Sequence, residues 1–256
     1  MKAVILAGGL GTRLREETEI KPKPMVEIGG KPIIWHIMKT YSSFGIKDFV
    51  ICAGYKSEVI RNWLVNYEFI NSDFTIKLSG KSEIIFHNKL DESDWSVTLA
   101  DTGQNTMTGG RIKKIEKYLQ GETFFCTYGD GVADIDINQL LAFHKKHGKS
   151  ATLTTVRPVS RFGVIDIKED LSVDHFREKP QADGWINAGY FVFESKIFEY
   201  LNENSVLEEE PLSRLAADHE LKAFQHQGFW QPMDTFREVT LLNKMWEDNT
   251  APWKVW

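Results

Sequence analysis

The feature that most constrains this chain is the alternation of short, uninterrupted apolar runs with amphipathic stretches. Ala3 to Leu6 and Phe49 to Ala53 are continuous apolar runs of the kind found in strands buried on both faces. The stretches Lys31 to Phe44 and Glu58 to Tyr67 instead read as helices. In the first of them Ile33, Ile34, Ile37, Met38, Tyr41 and Phe44 recur at three- and four-residue steps, and Gly45 stops the pattern. Further strands are predicted at Val97 to Leu99, Phe124 to Tyr128 and Ala151 to Val156, with a helix over Ile137 to His147. This βαβα order predicts an α/β fold: a three-layer, mostly parallel, Rossmann-like sheet flanked by helices and joined by right-handed crossovers.

Two regions break the rhythm. Residues 69 to 95 are polar and poorly periodic, which predicts an excursion from the sheet edge, either mobile or facing a partner subunit. After Pro158 the pattern turns hairpin-like, with strands predicted at Gly163 to Ile167, Val173 to Phe176 and Ile186 to Phe193. These form a smaller antiparallel lid region, followed by helices near Leu212 to His219 and Phe236 to Trp246. With no internal repeat or low-complexity linker, residues 1 to 256 read as one unit.

A chain of 256 residues with 42% hydrophobic content can bury one substantial core. Its net charge of −5 argues against a nucleic-acid partner, whose phosphates require clustered Lys and Arg. Cys52 and Cys126 each sit in an apolar run and read as small core residues rather than a disulfide pair. The opening MKAVILAGG is too short for a signal-peptide core, and no apolar run reaches membrane-spanning length. A cytoplasmic protein without a membrane partner is expected.

The strongest local signal follows the first strand: Leu6, Ala7, Gly8, Gly9, Leu10, Gly11, Thr12, Arg13, Leu14. Glycines here let the backbone approach a ligand closely, so that successive N–H groups converge on phosphate oxygens, and Arg13 adds a permanently charged donor fork. A dinucleotide fingerprint starting at Gly9 requires glycine where Leu14 stands, and the second strand ends in Ala53, Gly54, Tyr55 without an acidic residue for a ribose. A P-loop fails as well, because Gly30 and Lys31 are followed by Pro32. About ten residues after the loop, Lys21, Pro22, Lys23, Pro24, Met25 present Lys23 between two prolines that fix its extended surroundings. The plainer alternatives are a glycine turn and a solvated lysine.

LAGGLGTRL followed by KPKPM resembles the sugar-1-phosphate nucleotidyltransferase family, and the order of motifs is followed over nearly the whole chain. The longer stretch GGLGTRLREETEIKPKPMVEIGGKPIIWHIM, with Gly103 to Arg111, is most similar to the branch that uses CTP and glucose 1-phosphate. The resemblance implies cytidylyl transfer that yields CDP-glucose and pyrophosphate, for cell-surface polysaccharide precursors. A uridylyl- or thymidylyltransferase, or an inactive sugar-nucleotide-binding regulator, is the alternative.

The resemblance also implies the division of labour along the chain. Residues 1 to about 157 bind nucleotide, about 158 to 234 bind sugar, and 235 to 256 form a C-terminal helix. Leu6, Ala7, Gly8, Gly9, Gly11 and Thr12 hold the nucleotide. Gln104, Gly109 and Arg111 lie in the segment that meets the base, where Gln104 can offer either an acceptor or donors. Arg111 reads equally as a phosphate contact or a solvated helix residue. Arg13, Lys23 and Lys179 are the catalytic cations. Asp130, in Tyr128 to Gly131, and Asp234 are expected to hold Mg²⁺, although Asp-Gly alone reads as a turn and Asp234 also reads as a helix N-cap. Gly163, Glu178, Lys179 and Asn187 form the expected sugar pocket. A homo-oligomer is expected, with residues 69 to 95 and Trp246, Trp253 and Trp256 as candidate interface surface.

Overall fold

The strand β1 (Ala3–Ala7) is buried over its whole length, and the sheet is built outward from it. The structure is a computed structural model describing all residues except 79–82, 120 and 161, with the side chains of Arg13, Arg15 and Glu16 also left undescribed. Strands β2 (Asp48–Ala53) and β4 (Phe124–Tyr128) flank β1 in parallel, and β3 (Ser96–Asp101) continues the sheet in parallel beyond β2. On the far side of β4 lies β6 (Ile186–Phe193), antiparallel to β4 and to β5 (Ala151–Val156). Strand β7 (Leu221–Gln225) closes that edge, parallel to β5. The order is therefore β7-β5-β6-β4-β1-β2-β3.

Alternation along β1 accounts for the three layers. Ala3, Ile5 and Ala7 pack with Ile33, Ile37 and Tyr41 of the helix Ile33–Ser43 on one face, while Val4 and Leu6 pack with Ile112, Ile115 and Leu215 on the other. Each fully buried Ile contributes roughly 1.5–3 kcal/mol. Cys52 and Cys126 are free and buried in β2 and β4, as small core residues should be.

Two expectations change. Ile186–Phe193 does not belong to a separate lid but enters the main sheet, because the run from Ala188 to Phe193 is buried throughout and needs a covered position on both faces. Only the hairpin Val164–Ile167 with Val173–Arg177 stands apart, and it is largely exposed. Trp253 is fully buried and Trp246 and Trp256 pack beside it, so these tryptophans close the core rather than form an open surface. The excursion at 69 to 95 contains a hairpin, Phe74–Lys77 with Glu83–Phe86, whose Phe74 and Phe86 rings gather with Phe69. Among the described residues, no helix is long and apolar enough to cross a membrane.

The C-terminal tryptophans converge on His36, which is fully buried. Its Nδ1 accepts from Nε1 of Trp253 at 3.3 Å, leaving Nε2 to donate to the Ile28 carbonyl at 2.8 Å. This arrangement requires a neutral ring, and burial lowers its pKa to about 4. Between the ordinary value of 6.5 and about 4 the unfolded chain binds the extra proton and the folded one does not. Stability contributed above pH 6.5 is therefore lost as pH falls through this window, by roughly 3 kcal/mol. Urea unfolding at pH 7 and pH 4.5 checks this: the loss on acidification should be clearly smaller in His36→Gln than in the native chain, and equal losses would contradict it.

Candidate active site

Strands β1, β2 and β4 run parallel and end together at Ala7, Ala53 and Tyr128, so the segments that follow them gather at one edge of the sheet. A cavity of about 440 Å³ opens there. One wall is the glycine segment, with Leu6, Ala7, Gly8, Gly9, Gly11 and Thr12 all lining the space. Gly11 has φ of +64°, a left-handed conformation that a side chain would strain, and it begins the tight turn Thr12–Leu14. The Arg13 backbone lies in that turn, and its side chain falls outside the described residues.

Lys23 and Asp130 line the same cavity. Lys23 occupies the short turn Lys23–Met25, started by Pro22 and carrying Pro24, and is buried rather than solvated. Its ammonium donates to Oδ2 of Asp130 and to Oδ1 of Asp234, at 2.5 Å in each case. Burial works against the charge, but the attraction of Asp130 and then of Asp234 outweighs it, so the lysine pKa lies above its ordinary value. Asp130 follows β4 in Gly129, Asp130, Gly131, and Asp234 follows the short strand Trp230–Pro232, which pairs with Gly131–Ala133. That pairing brings the two carboxylates together. Thr235 rather than Asp234 is the N-cap residue of the helix Phe236–Glu247, forming a capping box with Glu238.

Two carboxylates already converging on one cationic atom suit a metal ion. Among the described residues no group of three or more His, Cys, Asp and Glu side chains could hold one, and with two carboxylates an ion here would need further ligands such as phosphate oxygens and water. That is the donor set of Mg²⁺.

Arg111 is not the solvated helix residue that one sequence-based alternative expected. It is buried in the helix Thr108–Lys114, and its guanidinium donates to the carbonyls of Gly8, Ala53, Gly103 and Gln104 and to Oγ1 of Thr102. It fastens the ends of three strands beneath the glycine segment while still bordering the cavity. Gly109 lines neither cavity. A Cβ there would stand 2.8 Å from Cβ of Ser205 and 2.9 Å from its carbonyl, so this glycine serves the close approach of the helix to residues 201–205. Gln104 is exposed, and its carbonyl is engaged by Arg111.

A second cavity of about 190 Å³ adjoins the first across Tyr128 and Asp130 and includes Asn187, Trp230 and Asp234. Asn187 is the one expected sugar-side residue found there, and it donates to the Tyr128 hydroxyl at 3.2 Å. Gly163, Glu178 and Lys179 line neither of these two cavities and flank the strands of the hairpin Val164–Ile167 with Val173–Arg177, outside the main sheet. The Lys179 ammonium faces Glu178 at 3.5 Å. Sequence patterns did not single out Glu208, which lines the first cavity and accepts hydrogen bonds from Tyr128 and Thr108. It lies in the acidic run Glu208 to Glu210, which reads as a solvated surface.

A glycine segment at the carboxyl edge of a parallel sheet, facing a buried lysine shared by two carboxylates, defines a nucleotide-binding α/β protein equipped for phosphate chemistry. The family described as nucleotidyl transferase matches residues 2–248, and the chain belongs to that family. It is 53% identical to the glucose-1-phosphate cytidylyltransferase of Salmonella typhimurium over 100% of both chains. It is also 33% identical to the mannose-1-phosphate guanylyltransferase catalytic subunit beta of Dictyostelium discoideum, over 91% of this chain and 62% of that one. The crystal structure of HddC from Yersinia pseudotuberculosis has the same fold, with a TM-score of 0.69 at 24% identity, covering 96% of this chain and 99% of the other.

The packing under the glycine segment separates two neighbouring glycines. A Cβ at Gly8 would lie 2.1 Å from Cζ of the immobilised Arg111, whereas one at Gly9 meets nothing within 4 Å. Gly8→Ala should lower Tm by about 5 °C, as expected for roughly 1–3 kcal/mol of overpacking, and Gly9→Ala should leave it nearly unchanged. Thermal unfolding of both variants decides the matter, and equal shifts would contradict the geometry.

Proposed function

We propose that the chain transfers a cytidylyl group from CTP to α-D-glucose 1-phosphate, giving CDP-glucose and pyrophosphate as a precursor for cell-surface polysaccharide. The observation that carries this reading is Lys23, held between Asp130 and Asp234 at the border of the glycine-lined cavity and its smaller neighbour. Similarity to the Salmonella enzyme over both full lengths supports the choice of substrates.

The triphosphate lies along Leu6 to Thr12, within reach of Lys23 and of the Arg13 position. The sugar phosphate enters from the side of Asn187, and the hairpin bearing Gly163, Glu178 and Lys179 supplies further contacts to it. An oxygen of the sugar phosphate attacks the α-phosphorus in line. One P–O bond forms, the bond from the α-phosphorus to its bridging oxygen breaks, and pyrophosphate leaves with the electron pair. The attacking oxygen is already anionic, so no general base and no covalent enzyme intermediate are needed. Lys23, Arg13 and Lys179 neutralise charge as it builds on the transferring and leaving groups. Asp130 and Asp234 would hold Mg²⁺, which would supply positive charge to offset that of the phosphates.

Self-association is part of the same reading, supported by the exposed Ile70, Phe74, Ile76, Ile84 and Ile85 on and beside the paired strands Phe74–Lys77 and Glu83–Phe86.

Pyrophosphate release across CTP, UTP and dTTP with glucose 1-phosphate tests the assignment. CTP should support turnover that EDTA abolishes and Mg²⁺ restores, and release with none of the three nucleotides would sink the enzyme reading. Lys23→Ala should lower kcat by about 100-fold or more, as expected for a lost transition-state contact. Asn187→Ala should chiefly raise KM for the sugar phosphate. An unchanged kcat in the lysine variant would refute its role.

A further inference from the structure

Besides the glycine segment, Lys23 and Asp130, the larger cavity is lined by Thr106, Met107, Thr108 and Glu208. With the triphosphate on the glycine segment, these residues are wall left for the nucleoside. Its polar groups differ in what they have left to offer. The Thr106 hydroxyl donates to the Thr102 carbonyl at 2.6 Å and accepts from Lys114 at 3.0 Å. The Arg111 donors are engaged by four carbonyls and a threonine hydroxyl. Met107 is about half exposed and contributes an apolar surface on which a planar ring can rest.

Glu208 is arranged differently. Its Oε2 accepts from Oγ1 of Thr108 at 2.6 Å, and Thr108 in turn accepts from the Leu207 N–H at 2.9 Å. Its Oε1 accepts from the Tyr128 hydroxyl, which itself accepts from Asn187. A carboxylate has about four lone-pair positions, and these two hydroxyls occupy one on each oxygen. The side chain is thus held in orientation with acceptor capacity left toward the cavity, and a carboxylate has no proton to donate.

We propose that Glu208 is a base-specificity residue: it accepts a hydrogen bond from the 4-amino group of cytosine and excludes uracil and thymine, whose carbonyl at that ring position would face it lone pair to lone pair. An acceptor-only group placed against an exocyclic amine rewards one base and penalises the other, which gives larger discrimination than shape alone. Family membership by itself does not set this choice, since the Dictyostelium relative is named for guanylyl transfer. The inference rests on the proposed cytidylyl transfer.

The test is kcat/KM for CTP and UTP in the native chain, in Glu208→Gln and in Tyr128→Phe, with Kd for each nucleotide measured by calorimetry without the sugar phosphate. Glu208→Gln preserves shape at an exposed position but adds an NH₂ donor that can meet the uracil carbonyl. It should lower the CTP-to-UTP ratio at least tenfold, with UTP use retained or raised. Tyr128→Phe removes the donor that orients Glu208 and should lower the ratio by a smaller factor. A ratio within twofold of native in Glu208→Gln overturns the inference. Equal losses with both nucleotides also overturn it, since they would assign Glu208 to the ribose hydroxyls common to both. A native chain that prefers UTP would instead overturn the proposed function itself. A native preference for CTP that survives Glu208→Gln overturns only the role of Glu208.

Discussion

The buried Lys23 ammonium, shared by Asp130 and Asp234, is the contact on which the site depends. It joins three segments far apart in sequence: a proline-framed turn near the N-terminus, the end of β4, and the approach to the last helix. Removing either kind of partner leaves buried charge uncompensated, which costs about 3–5 kcal/mol. A metal–triphosphate complex entering here would bring both a cation for the carboxylates and phosphate oxygens for the lysine to meet.

Around this charge cluster the cavity walls are fixed by a second polar hub. Arg111 spends its donors on backbone carbonyls at the ends of neighbouring strands, which holds the glycine segment in place before any ligand arrives. Prior placement of this kind removes reorganisation from the reaction step. The projecting hairpin with Glu178 and Lys179 lacks that bracing, being largely exposed and paired only within its own two strands. The glycine-segment side of the cavity is therefore the braced half, and the hairpin is an arm outside the main sheet.

Much of this organisation was legible in the sequence, where local chemistry decides structure. The bounds of Phe124–Tyr128, Ala151–Val156 and Ile137–His147 agree with expectation because their apolar periodicity is unbroken. Strand β7 was missed because Leu221–Gln225 lies at an edge with most of its residues exposed or only partly covered. The placement of Ile186–Phe193 within the main sheet was invisible for another reason: a strand buried on both faces has the same pattern whichever way its neighbours run. At the site, spacing marked the glycine segment and Lys23, and the family resemblance marked the two aspartates. Neither pointed to Glu208, which stands out only when Tyr128 and Thr108 close on it from distant parts of the chain.

The Lys23 cluster should receive a metal-bound triphosphate beside the glycine segment. A crystal structure with a non-hydrolysable CTP analogue and Mn²⁺, read by its anomalous signal, tests it most directly. The expected result is a peak within ligand distance of both Asp130 and Asp234, with phosphates along Gly8 to Thr12 and the Lys23 ammonium turned onto them. A peak away from these carboxylates, or a triphosphate bound elsewhere on the sheet edge, would contradict it.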